Sequence, residues 1–157
     1  LLRKLDFYPA DADYCLQARF EATPDSKPFE MATYSGITKP YRQHGWLTFT
    51  LHGKVQRLAV YQNLRLRNMP GFKDYLFLPF KDATNGETTY GGGRYMDLRM
   101  GKIGEDGKVW LDFNKCYNPW CAYSEGYNCP VPPRENHLDI AIPAGERKPQ
   151  FPKRKSP

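Results

Sequence analysis

The strongest constraint on this chain is the rhythm of residues 46–61. In WLTFTL, Leu47, Phe49 and Leu51 fall on one side and Trp46, Thr48 and Thr50 on the other, the period of two that a half-buried strand requires. His52-Gly53 follows and VQRLAVY runs back. Glycine accepts the positive φ of a tight turn, so the stretch is expected to be a β-hairpin with His52 exposed at its tip.

The same short rhythm recurs along the chain. Tyr14, Leu16, Ala18 and Phe20 share a face, and residues 29–34 form a second short strand before Ser35-Gly36. After a connection with room for one helical turn (NLRLRNMPGFKD), YLFLPF is long enough for a buried strand, with Pro79 bending its end. KDATNGE turns at Asn85-Gly86. Residues 94–100 and 108–114 then alternate on either side of GEDG, which predicts a second hairpin with Met96, Leu98, Val109, Leu111 and Phe113 inward. Leu138, Ile140 and Ile142 mark a last strand. No segment keeps a helical period. The fold class is therefore all-β, an antiparallel sandwich or partly closed barrel of about eight short strands with long ordered loops.

With 13 glycines and 14 prolines in 157 residues, many turns are expected, and 15% aromatics implies an aromatic-rich core. Residues 1–146 read as a single β-rich domain and residues 147–157 as a basic, Pro-rich tail, expected to be solvated. That tail holds Arg147, Lys148, Lys153, Arg154 and Lys155, five of the six net positive charges, which leaves the body at +1. A basic stripe for nucleic acid is thereby unsupported. No apolar run approaches the roughly 20 residues of a membrane-spanning helix.

Chemistry-bearing residues crowd into residues 76–138. The triplet Gly91-Gly92-Gly93 lets the backbone be approached closely, and successive N–H groups in such a turn make an anion nest. Arg94 follows with a planar guanidinium suited to carboxylate or phosphate. The alternative is a bulge, with Arg94 paired to Asp97 or Asp112. No helix follows to make the glycines a dinucleotide fingerprint. Tyr95, Asp97, Arg99, Trp110, Asp112 and Asn114 share the side opposite the core, either as plain surface or as a pocket wall. The run YNPWCAYSEGYNCPVPPREN is too polar for a strand and too aromatic for a linker. It reads as an ordered loop whose Asn118 and Asn136 bond nearby backbone, or as a lid in which Tyr117, Asn118, Tyr123, Glu135 and Asn136 clamp a ligand.

Cys121 and Cys129 stand eight apart. They admit a disulfide closing a small loop, two buried thiols or, with His137, three zinc ligands, though the spacing departs from structural zinc sites. No metal site and no cofactor are expected. A nucleophilic cysteine would need a base that His44, His52 and His137 have no spacing to supply.

These runs, FLPFKDATNGETTYGGGRYMDL, LDFNKCYNPWCAYSEGYNCPVPPREN and the closing IPAGE, closely resemble the bacterial family catalogued as domain of unknown function 1684. LDFYP and the hairpin resemble it too, so the likeness covers most of residues 5–146. The resemblance implies no known activity, substrate or cofactor. It implies that the domain is N-terminally truncated relative to the family, and it favours an exported or periplasmic location over the cytoplasm.

The function expected is binding of a small polar or anionic ligand between the glycine triplet and the 117–136 loop. Arg94 would be the counter-charge, with Tyr90, Tyr95 and Tyr123 as walls. One alternative is a hydrolase with Asp112 or Glu87 as general base and Asp82 and Glu135 behind them. Another is a purely structural role for the motifs. If the second hairpin forms, Arg94, Asp112 or Asn114, and one of Tyr117, Asn118 or Tyr123 should line one concavity at its open end.

Overall fold

The computed structural model describes residues 5–155; the first four residues of the expected domain and the last two of the expected tail lie outside them. Seven strands form one antiparallel sheet: β1 (Cys15–Ala22), β2 (Phe29–Ala32), β3 (Thr38–Leu51), β4 (Lys54–Asn63), β5 (Tyr75–Phe80), β6 (Arg94–Arg99) and β7 (Lys108–Asp112). The order is β6-β5-β4-β3-β1-β7, with β2 paired to the first part of β3. Among the described residues the only helices are single 3-10 turns, and none is long and apolar enough to cross a membrane. The sheet curls into a half-barrel, the partly closed barrel that the alternation predicts.

The hairpin at 46–61 forms as expected and extends further, from Thr38 through Asn63. Its tip is a two-residue turn with His52 at φ 49° and Gly53 at φ 77°, the pair of positive values that matches the twist of the flanking strands. Alternation then fills one face. Leu47, Phe49 and Leu51 of β3 meet Leu58 and Val60 of β4, Leu76, Leu78 and Phe80 of β5, Met96 of β6 and Leu111 of β7. Each such side chain, fully buried, contributes about 1.5–3 kcal/mol.

The opposite face carries a second cluster, Met31, Tyr41, Ala59, Tyr61, Phe77 and Tyr95. Tyr41 joins it through one irregularity. Between Gln43 and Gly45 the pairing of β3 with β4 shifts register, so the inward parity changes. Beyond the bulge, odd positions such as Leu47 enter the main core. Before it, the odd position Tyr41 belongs to the second face.

Two expectations fail. β6 and β7 do not pair: β6 lies against β5 and β7 against β1, at opposite ends of the sheet. The connection between them is not a tight loop, since it contains a 3-10 turn (Met100–Lys102) before the 104–107 turn. Those residues cross the gap between the two sheet edges, and Phe20 N–H bonds to Gly107 O to draw β7 beside β1. The gap narrows again where Tyr95 and Tyr117 exchange two backbone hydrogen bonds of 2.9 and 3.0 Å. The expected last strand is also absent. Ile142 and Ala144 are fully buried, but their segment is irregular because side chains, not a neighbouring strand, bind its carbonyls.

Candidate functional site

Arg94 supplies most of those bonds. It is fully buried, and its parity is that of Met96 and Leu98, so it points into the main core. One terminal nitrogen donates to Ala144 O and to Glu146 O at 3.3 Å; the other donates to Ile142 O at 2.9 Å and to Asp82 Oδ1 at 3.4 Å. The guanidinium also lies 5.3 Å from the Phe80 ring centroid. Its carboxylate partner is thus Asp82, not Asp97 or Asp112. Asp82 is occupied in turn by the Thr84 hydroxyl, the Asn85 amide and Ile142 N–H.

The glycines serve this centre. Gly93 has φ 90°, and a Cβ there would stand 2.6 Å from Phe80 O. A side chain on Gly145 would meet the buried Cys116 Sγ at 2.3 Å. Burial pushes the Cys116 thiol up to about 11, with the Arg94 charge pulling the other way. Gly93 N–H bonds to Tyr90 O and Gly92 O accepts from Tyr34, so the triplet forms a braced bend.

Other expected site residues are also engaged. Asn136 is fully buried between β4 and β5: it accepts from Ala59 N–H and donates to Ala59 O and Pro79 O. It replaces a stretch of strand pairing beside Pro79, which has no N–H to offer. Glu135 accepts from the Tyr61 hydroxyl at 2.6 Å. Asp112 caps a 3-10 turn through Asn114 N–H, and Asn114 binds the backbone of Asp11. Glu87 is exposed on its turn. His137 Nε2 lies 2.8 Å from Pro132 O, and Cys121 and Cys129 are joined by a disulfide.

The opposite face holds a cavity of about 820 Å³. Its floor is Tyr41, Phe77 and Tyr95, the second cluster; its roof is the loop from Tyr117 to Pro130. The roof is pinned at both ends. Tyr117 pairs with Tyr95, while the Tyr95 hydroxyl donates to Pro130 O at 2.6 Å, Val131 N–H bonds to Ala32 O at the end of β2 and Cys129 O accepts from Tyr34 N–H just beyond it. The disulfide closes the loop between those ends.

Of the expected ligand residues, Tyr95, Tyr117, Asn118 and Tyr123 line this cavity; Tyr90, the glycine triplet, Arg94, Asp112, Asn114, Glu135 and Asn136 do not. The second hairpin that would have joined the two sets is not formed. Sequence reasoning passed over Lys39, Tyr75, Glu146 and Arg154, which line it as well. Arg154 belongs to the tail expected to be solvated. It is tied by backbone, its N–H to Tyr123 O and its carbonyl to Glu125 N–H.

The polar groups of the cavity differ in how far they are satisfied. Tyr75 and Tyr117 both donate to Asp97 Oδ1 at 2.6 Å, and burial, with that carboxylate, pushes both phenols up. Glu146 accepts from Asn118 N–H at 2.8 Å and from the Tyr123 hydroxyl. Burial raises its carboxyl above the usual range, opposed by the Asn118 N–H and the Arg94 charge. Asn118 Nδ2 donates to Arg147 O at 2.9 Å, which fixes the amide's orientation because a carbonyl only accepts. Its Oδ1 is buried and has no partner among the described residues. Lys39 is half-buried, and burial lowers its pKa.

The sequence profile of a family described as "Protein of unknown function (DUF1684)" matches residues 2–147. The solution NMR structure of an uncharacterized protein from Haloarcula marismortui is similar, with TM-score 0.73 and 34% identity, over 93% of this chain and 77% of that one. No curated protein matches.

Proposed function

The chain belongs to the DUF1684 family, whose description assigns no reaction, and from that premise we propose that it binds a small organic molecule in the cavity under the 117–130 loop. The observation that carries this reading is the cavity itself, about 820 Å³ between the sheet and the loop and walled largely by aromatic side chains. The volume lies in the range of small-molecule sites, and aromatic walls with few placed polar groups are their usual make-up.

The ligand site is therefore proposed on the side of the sheet away from Arg94, and the glycine triplet is assigned a structural role. Asp112 and Glu87, the candidate general bases, do not line this cavity, so binding is favoured over hydrolysis. The disulfide supports an exported or periplasmic location, where such bonds persist.

A thermal-shift screen of aromatic acids, nucleosides and sugars tests the proposal. Hits should raise the melting temperature of the full chain and have no effect on Ser124→Trp, which fills the cavity from its wall. Hits that stabilise both proteins alike would place the ligand elsewhere and end this reading.

A further inference from the structure

The charges around the cavity are unequally occupied. Glu146 is the only carboxylate lining it among the described residues, and both its oxygens already accept hydrogen bonds, from Asn118 N–H and Tyr123. Asp97 stands behind Tyr75 and Tyr117 and accepts from both. The two cations are different. Neither the Lys39 ammonium nor the Arg154 guanidinium makes a hydrogen bond or ion pair with a described residue.

Lys39 is held there by the strand. It lies two positions before Tyr41 on β3, ahead of the bulge, so both side chains are on the face that carries the cavity. Its partner across the ladder is Met31, buried in the same aromatic cluster. The Lys39 side chain is partly withdrawn from water with no counter-charge among the described residues, and an anion in the cavity would supply one. Arg154 is positioned less by its side chain than by its two backbone bonds to the roof.

Resting on the binding reading above, we infer that the ligand is an organic anion with a flat, unsaturated body. Its acid group sits at Lys39, with Arg154 as the second positive charge. The body lies against Phe77, Tyr95 and Tyr117. Those rings meet edge to face (Phe77–Tyr95 centroids 4.7 Å apart, Tyr95–Tyr117 6.0 Å), leaving faces and edges that accept a planar group.

Two fluorescent probes of nearly the same shape separate charge from shape. 1-Anilinonaphthalene-8-sulfonate carries a sulfonate and an N–H donor; N-phenyl-1-naphthylamine keeps the rings and the N–H without the charge. Titrated into the full chain, both should bind, and the sulfonate should bind about tenfold more tightly, as expected for a bond to a charged partner. Lys39→Met should remove that advantage and leave the neutral probe within about twofold, whereas Lys39→Arg should retain it. Ser124→Trp should lose both probes at an unchanged melting temperature. Equal affinity of the two probes for the native chain, or equal weakening of both by Lys39→Met, overturns the anionic assignment while the cavity stands. Absence of binding by either probe, or binding that Ser124→Trp leaves intact, overturns the cavity reading and this inference with it.

Discussion

The Arg94 centre and the cavity under the 117–130 loop are built from similar residues and end in opposite states. In the first, a buried arginine and Asp82 are surrounded by carbonyls, hydroxyls and amides until nearly every polar group is engaged; the Arg94 Nε alone has no partner. In the second, Asp97 and Glu146 are satisfied but Lys39, Arg154 and the Asn118 oxygen are not. A dense set of polar and aromatic residues is thus not itself a site. What marks the second region is the open volume beside it, which the packed Arg94 centre does not line. Glu146 joins the two regions, since its backbone carbonyl accepts from Arg94 while its carboxylate lies in the cavity wall.

The largest effect should come from breaking the first region. Arg94→Met leaves Asp82 buried without its ion pair, a loss of about 3–5 kcal/mol, measurable by urea unfolding. Whatever fraction stays folded should bind the naphthyl probes as before. A variant of native stability that no longer binds them would show that the two regions are one.

Removing the roof closure comes next. Cys121→Ala with Cys129→Ala opens the eight-residue loop and should lower stability by about 2–3 kcal/mol. Here both probes should weaken, because Cys129 is part of the cavity wall. Unaltered probe affinity would mean that the roof contributes no binding surface.

The smallest effect sharpens the link between the regions. Burial raises the Glu146 carboxyl above its ordinary 4.5, so the folded state holds this proton more tightly than the unfolded state. The resulting stabilisation is complete below about pH 4.5 and is lost as pH rises through the folded value. Relative to Glu146→Gln, which does not titrate, the native chain should therefore lose stability as pH climbs from 4.5 toward neutrality. Unfolding curves of the two that shift in parallel across this window would remove burial as the dominant influence on this group.

Much of this was legible from residues alone. Period-two alternation located the strands, and the His52-Gly53 turn fixed one hairpin, because both are local properties of backbone and side-chain parity. Even the role of Arg94 had a signal: it shares the parity of Met96 and Leu98, and so was bound to point inward with them. The signal was outweighed by the glycines beside it, which suggested an open nest.

Three features had no local mark. The register shift between Gln43 and Gly45 turns Lys39 and Tyr41 to the second face, and only the pairing with β4 reveals it. The separation of β6 from β7 depends on which edges the curled sheet offers, and alternation says nothing about partners. The cavity is assembled from the N-terminal segment, β3, β5, β6, the long loop and the tail, segments up to 149 positions apart between Leu5 and Arg154. Sequence by itself determined where strands and turns lie, since those follow from neighbours in the chain. Tertiary structure alone decided which polar groups found partners, since a hydrogen bond is satisfied or left open by whatever the fold brings within about 3 Å of it.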